Sequence, residues 1–124
     1  MKVIMLFVVS LIFASPVLAE DYEKGPNGGL MLDVAGIDAE LLTSGNTVTI
    51  NVWEPYKPNP IPTKGYSGAV LIVGGPGRET VQLTPSGANS LKGDAKNPIG
   101  PGTTVTLTIK TADGKSGQVK YKTK

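Results

Sequence analysis

The sequence predicts an all-β domain, an immunoglobulin-like antiparallel β-sandwich of about seven or eight strands that follows an N-terminal signal peptide. Three observations carry this prediction. Beyond residue 19, apolar residues recur with a period of two, the mark of half-buried strands. No segment there keeps a helical repeat for even three turns. The 16 Gly and 10 Pro, Pro16 apart, fall almost entirely between the alternating runs, where turns belong.

Residues 1–19 have the organisation of a signal peptide. Met1-Lys2 is a short positive start, and Val3 to Phe13 is a nearly unbroken apolar run. Pro16-Val17-Leu18-Ala19 adds a helix breaker and small residues at the two peptidase recognition positions, Val17 and Ala19. A membrane span needs about 20 apolar residues, and Ser10, Ser15 and Pro16 cut this run short. Cleavage after Ala19 is therefore favoured over a retained anchor. The product, residues 20–124, is the size of one domain and is expected to be exported, to the periplasm, with no membrane anchor.

The strands follow in order. In Gly36–Leu41, the residues Ile37, Ala39 and Leu41 face one way and Asp38 and Glu40 the other, which puts the two acids on a wet face. After the turn Ser44-Gly45-Asn46, Thr47–Trp53 repeats the alternation with Val48, Ile50 and Val52 inward, so the two runs read as a hairpin. Ala69–Val73 is apolar at every position, which suits a central strand covered on both faces. Arg78–Thr84 and Thr103–Lys110 alternate again, and Asp113-Gly114 is a two-residue hairpin signal leading into Ser116–Lys122. Leu30–Val34 and Asn89–Gly93 complete the set. The run Glu54–Thr63 holds four prolines, which forbid a central strand and favour a stiff extended crossover between sheets.

Composition narrows the function. The chain has no Cys and no His, which removes the thiolate nucleophile, the disulfide framework, and the commonest general base and metal ligand. The formal charge of +2, with Lys2 in the signal, leaves no basic footprint for nucleic acid. Serines lack a partner base, and Gly74-Gly75-Pro76-Gly77 lacks the Lys-Ser/Thr of a phosphate loop. The expectation is that the protein is not an enzyme. A carboxylate-dependent hydrolase survives only if Asp38 or Glu40 lies in a concave pocket with a raised pKa.

Two binding readings remain. Asp38 and Glu40, two apart on a strand and hence about 7 Å apart, could with Asp33 surround a hard cation. No cofactor is expected beyond such a weakly held divalent ion. Met31, the one methionine past the signal, reads as a filler of an irregular core gap or, with Trp53, as part of a weak cation site. Trp53 has the opposite parity to Val52 and should face outward, with Tyr56 and Tyr66 flanking the proline-rich run. These rings form either an aromatic rim for a partner or packing that holds the crossover down.

The segment Gly25-Pro26-Asn27-Gly28-Gly29-Leu30, followed by Gly36 and Ile37-Asp38-Ala39-Glu40-Leu41, resembles the opening of a periplasmic β domain of heavy-metal efflux (RND-type) adaptor subunits. That domain also occurs as small free-standing exported proteins, which Gly65–Ala69 and Thr80–Gly93 resemble. The resemblance implies a non-catalytic accessory module associated with metal efflux or metal stress, and a partner among envelope proteins such as an efflux adaptor. The alternative is a structural or protein-interaction domain that uses the aromatic rim or a free strand edge and has no metal role. The family's histidines are replaced here by Asn27, Ile37 and Asp38, and Glu40 alone matches its ligand set.

Overall fold

A computed structural model describes residues 23–57, 59–75 and 77–124, so the expected signal peptide lies outside the described residues. Nine strands follow in chain order: β1 (Glu23–Lys24), β2 (Leu30–Val34), β3 (Ile37–Ser44), β4 (Thr47–Trp53), β5 (Ser67–Gly74), β6 (Gly77–Ser86), β7 (Ser90–Asp94), β8 (Thr104–Lys110) and β9 (Ser116–Lys122). All pairings are antiparallel, and the spatial order is β1-β2-β3-β4-β7-β6-β5-β8-β9. The all-β antiparallel class is as expected. The strands form one continuous sheet that curls into a half-barrel.

The curl has a local origin in β6. Its Gly77–Leu83 stretch pairs with β5, whereas Thr84–Ser86 pairs with β7. Pro85, which cannot donate a ladder hydrogen bond, sits just past the switch. The curl brings β9 back against β2 so closely that a Cβ on Gly117 would lie 2.9 Å from Val34 Cγ2. Across the same gap the buried Tyr121 hydroxyl donates to the Ala39 carbonyl at 2.8 Å. Tyr121→Phe removes this buried hydrogen bond and should destabilise the fold by about 1 kcal/mol, read as a lower urea midpoint at unchanged slope.

The turns obey ordinary chemistry. Ser44 and Thr47 pair around Gly45-Asn46, with Gly45 at φ 60° supplying the left-handed conformation a two-residue hairpin needs. The β2–β3 turn puts both Ala35 (φ 53°) and Gly36 (φ 82°) in that region. The β8–β9 connection is longer than the expected two residues, because Thr111 N–H bonds to the Lys115 carbonyl and the Thr111 hydroxyl pairs with Asp113.

The concave side of the sheet holds one aliphatic core, with Val48, Ile50, Val52, Val70, Leu91, Val105 and Leu107 fully buried. Each such side chain contributes about 1.5–3 kcal/mol. The inward parity of Ile37, Ala39 and Leu41 holds. Two expectations need correction. β5 is central in the sheet but is not covered on both faces: Val70 and Ile72 are buried, whereas Val73 is 41% exposed on the convex side. Conversely, Asp38 and Glu40 are not on a wet face, because β3 is buried on both sides from Ile37 to Leu41. The proline-rich run crosses from β4 to β5 as expected, but it opens with a tight turn in which Lys57 N–H bonds to the Glu54 carbonyl at 3.3 Å.

Candidate functional site: an acidic groove under two turns

Cross-strand register places Glu23, Met31, Asp33, Asp38, Glu40 and Trp53 on one face of the β1–β4 sheet, opposite the core. Two turns fold over this face. The first is Gly25–Gly29, where Gly28 N–H bonds to the Gly25 carbonyl and Gly25 N–H to the Gly29 carbonyl, both at 2.9 Å. Pro26 and Asn27 occupy its centre and Gly28, at φ 84°, the left-handed position that closes a three-residue hairpin loop.

Glu40 holds this turn down. Its Oε2 accepts the backbone N–H groups of Asn27 and Gly29, each at 2.8 Å, and its Oε1 accepts the Trp53 indole N–H at 3.1 Å. The side chain is fully buried, and a Cβ on Gly25 would collide with its carboxyl. The glycine motif and Glu40 are therefore one structural unit. With three donors on its two oxygens, Glu40 is an anchor and is not poised, with Asp33 and Asp38, to surround an ion. Among the described residues no group of three or more His, Cys, Asp or Glu side chains is placed to hold a metal ion.

The second turn is Glu54–Lys57, with Pro55 and Tyr56 at its centre. Tyr56 sits at φ 66°, a position that glycine or asparagine favours, and its side chain is 98% exposed. Between the turns lies a groove of about 660 Å³, lined by Glu23, Met31, Asp33, Asp38, Trp53 and Tyr56 among others, with Lys24 and Lys57 also at its walls. This is an ordinary volume for a ligand site.

Asp38 is the unusual group of the groove. It is 7% exposed, and its Oδ1 is buried with no hydrogen-bond partner among the described residues. Burial, reinforced by hydrogen bonding and charge from the Asp33 carboxyl and by the charge of Glu23, pushes its carboxyl up to about 7, against a smaller opposing effect of the Tyr56 backbone N–H. A buried oxygen left without a donor is a place where a ligand can bring one.

The structure thus unites Asp33, Asp38, Met31, Trp53 and Tyr56 in one groove and separates two other expected residues from it. Tyr66 is buried in the core, where desolvation and the charge of Asp113 push its phenol up, and it is not part of an aromatic rim. Glu40 lies beneath the groove as described. Met31 fills no core gap, because its neighbours Leu30 and Leu32 pack on the core and Met31 points the other way. Glu23 escaped the sequence reading, since a two-residue strand is too short to show alternation. A second depression of about 410 Å³ near Arg78 and Lys96 is less promising, because the Glu79 carboxyl there already accepts the Lys96 N–H. No family model, no curated protein and no solved structure matches this chain.

Proposed function

We propose that the protein is a non-catalytic binding module, exported to the periplasm by its signal peptide, and that it works through the groove between the two turns. The single observation that carries this reading is the buried Asp38 Oδ1 at the groove wall, which has no hydrogen-bond partner among the described residues. The resemblance of the Gly25–Leu41 segment to heavy-metal efflux adaptor domains supports an accessory role in metal efflux or metal stress, exercised on an envelope protein such as an efflux adaptor. The way β6 passes from one half of the sheet to the other supports reading the domain as an immunoglobulin-like sandwich.

A direct cation contact, if the protein makes one, falls to Asp33 and Asp38, because Glu40 is engaged with three N–H donors. Calorimetric titration with Zn²⁺, Cu²⁺, Ni²⁺ and Ca²⁺, followed also by the fluorescence of Trp53, tests this. The expected result is at most weak binding, lost in Asp33→Asn; a micromolar event that survives that change would place the ion elsewhere.

The raised pKa of Asp38 in a concave site favours a second reading, in which this carboxyl acts as a general acid in hydrolysis. Turnover of a chromogenic ester or glycoside that disappears in Asp38→Asn would select it over binding alone.

A further inference from the structure

Three carboxyl groups and two ammonium groups, those of Lys24 and Lys57, line the groove, which leaves it one negative charge in excess. The carboxyls, those of Glu23, Asp33 and Asp38, face it from three adjacent strands, and the Asp38 Oδ1 atom lacks any donor among the described residues. What fills the groove must therefore bring N–H or O–H donors, and positive charge favours it. Trp53 and Tyr56 add aromatic faces, which attract an ammonium or guanidinium. Met31 and Pro26 add apolar surface suited to an aliphatic stem.

We propose that this groove seats one basic side chain, the guanidinium of an arginine or the ammonium of a lysine, presented by a partner polypeptide. The inference rests on the reading of the groove as a binding site and adds the chemistry of its occupant. A bare divalent cation fits less well: calcium takes six to eight oxygen ligands, and Glu40 has already spent both of its oxygens on Asn27, Gly29 and Trp53. A free polyamine fits less well too, because three carboxyls offset by Lys24 and Lys57 leave one negative charge to balance, enough for one cationic head and not for several. A polypeptide also explains Tyr56. The turn holds this ring 98% exposed on a left-handed backbone, a conformation unfavourable for tyrosine, and an exposed aromatic beside a desolvated carboxyl has the composition of an interface anchor.

The test uses the fluorescence of Trp53, the only tryptophan of the chain, in the full-length protein. The probes are the blocked peptide acetyl-Gly-Arg-Gly-amide, the same peptide with neutral citrulline for arginine, spermidine and calcium chloride. The expected result is a saturable change with the arginine peptide that weakens at least tenfold with the citrulline peptide and in Asp38→Asn. Tyr56→Ala, a fully exposed site where the fold is not at risk, should weaken it several-fold. Equal binding of the citrulline peptide, or unchanged affinity in both variants, overturns the proposal. Saturation by spermidine or calcium without the arginine peptide overturns it while leaving the groove a binding site; silence of all four probes overturns both readings.

Discussion

Glu40→Ala should destabilise the protein by about 3–4 kcal/mol, the largest loss expected from any single polar side chain here. The change strands three donors at once, the buried N–H of Gly29 and the part-buried N–H groups of Asn27 and of the Trp53 indole, around a side chain that is itself fully buried. Each orphaned buried donor costs about 1–3 kcal/mol, offset in part as the Gly25–Gly29 turn loosens and lets water in. Urea denaturation measures the loss directly, and Glu40→Gln should recover part of it, since one carbonyl oxygen can still accept. A ligand titration on Glu40→Ala alone would mislead, because lost binding there follows from a displaced turn and an unfastened Trp53. Full stability in Glu40→Ala would show that the carboxyl does not anchor the turn.

Asp38→Asn should do the opposite and raise stability at pH 8 by roughly 2–3 kcal/mol. An unfolded Asp titrates near 3.8, whereas in the fold Asp38 keeps its proton to about 7. Between those values the folded chain binds more protons than the unfolded one, so this group makes stability fall as pH rises. The stability it contributes is fully present below about 3.8 and lost on approach to pH 7. Asparagine matches the neutral carboxyl in shape and carries no charge, so the variant avoids that loss. The decisive quantity is the difference in unfolding free energy between the two proteins measured from pH 4 to pH 8. It should grow with pH, whereas a constant difference would mean that Asp38 ionises normally. A residue that lowers stability at neutral pH while lining a groove is what a site under functional demand looks like.

The strands and their faces were legible in the sequence, and the physical reason is local. A strand's side chains alternate, so the parity of Ile37-Ala39-Leu41 and of Val48-Ile50-Val52 reports the core face without any knowledge of the partner strands. Gly45-Asn46 likewise carries its own turn chemistry. The absence of His and Cys bounded the chemistry before any fold was known. Parity, however, says which way a side chain points and nothing about what lies above it. Only the tertiary structure folds the Gly25–Gly29 turn onto the face that carries Glu40, turning an apparent surface acid into a buried anchor. Only it sets Asp33 opposite Asp38 beside the Glu54–Lys57 turn, and so creates a carboxyl that resists ionisation. It also draws Tyr66 into the core at the end of the crossover, away from the rim it was expected to share. Those outcomes depend on contacts between segments distant in the chain, and burial, pKa and ligand geometry are properties of such contacts.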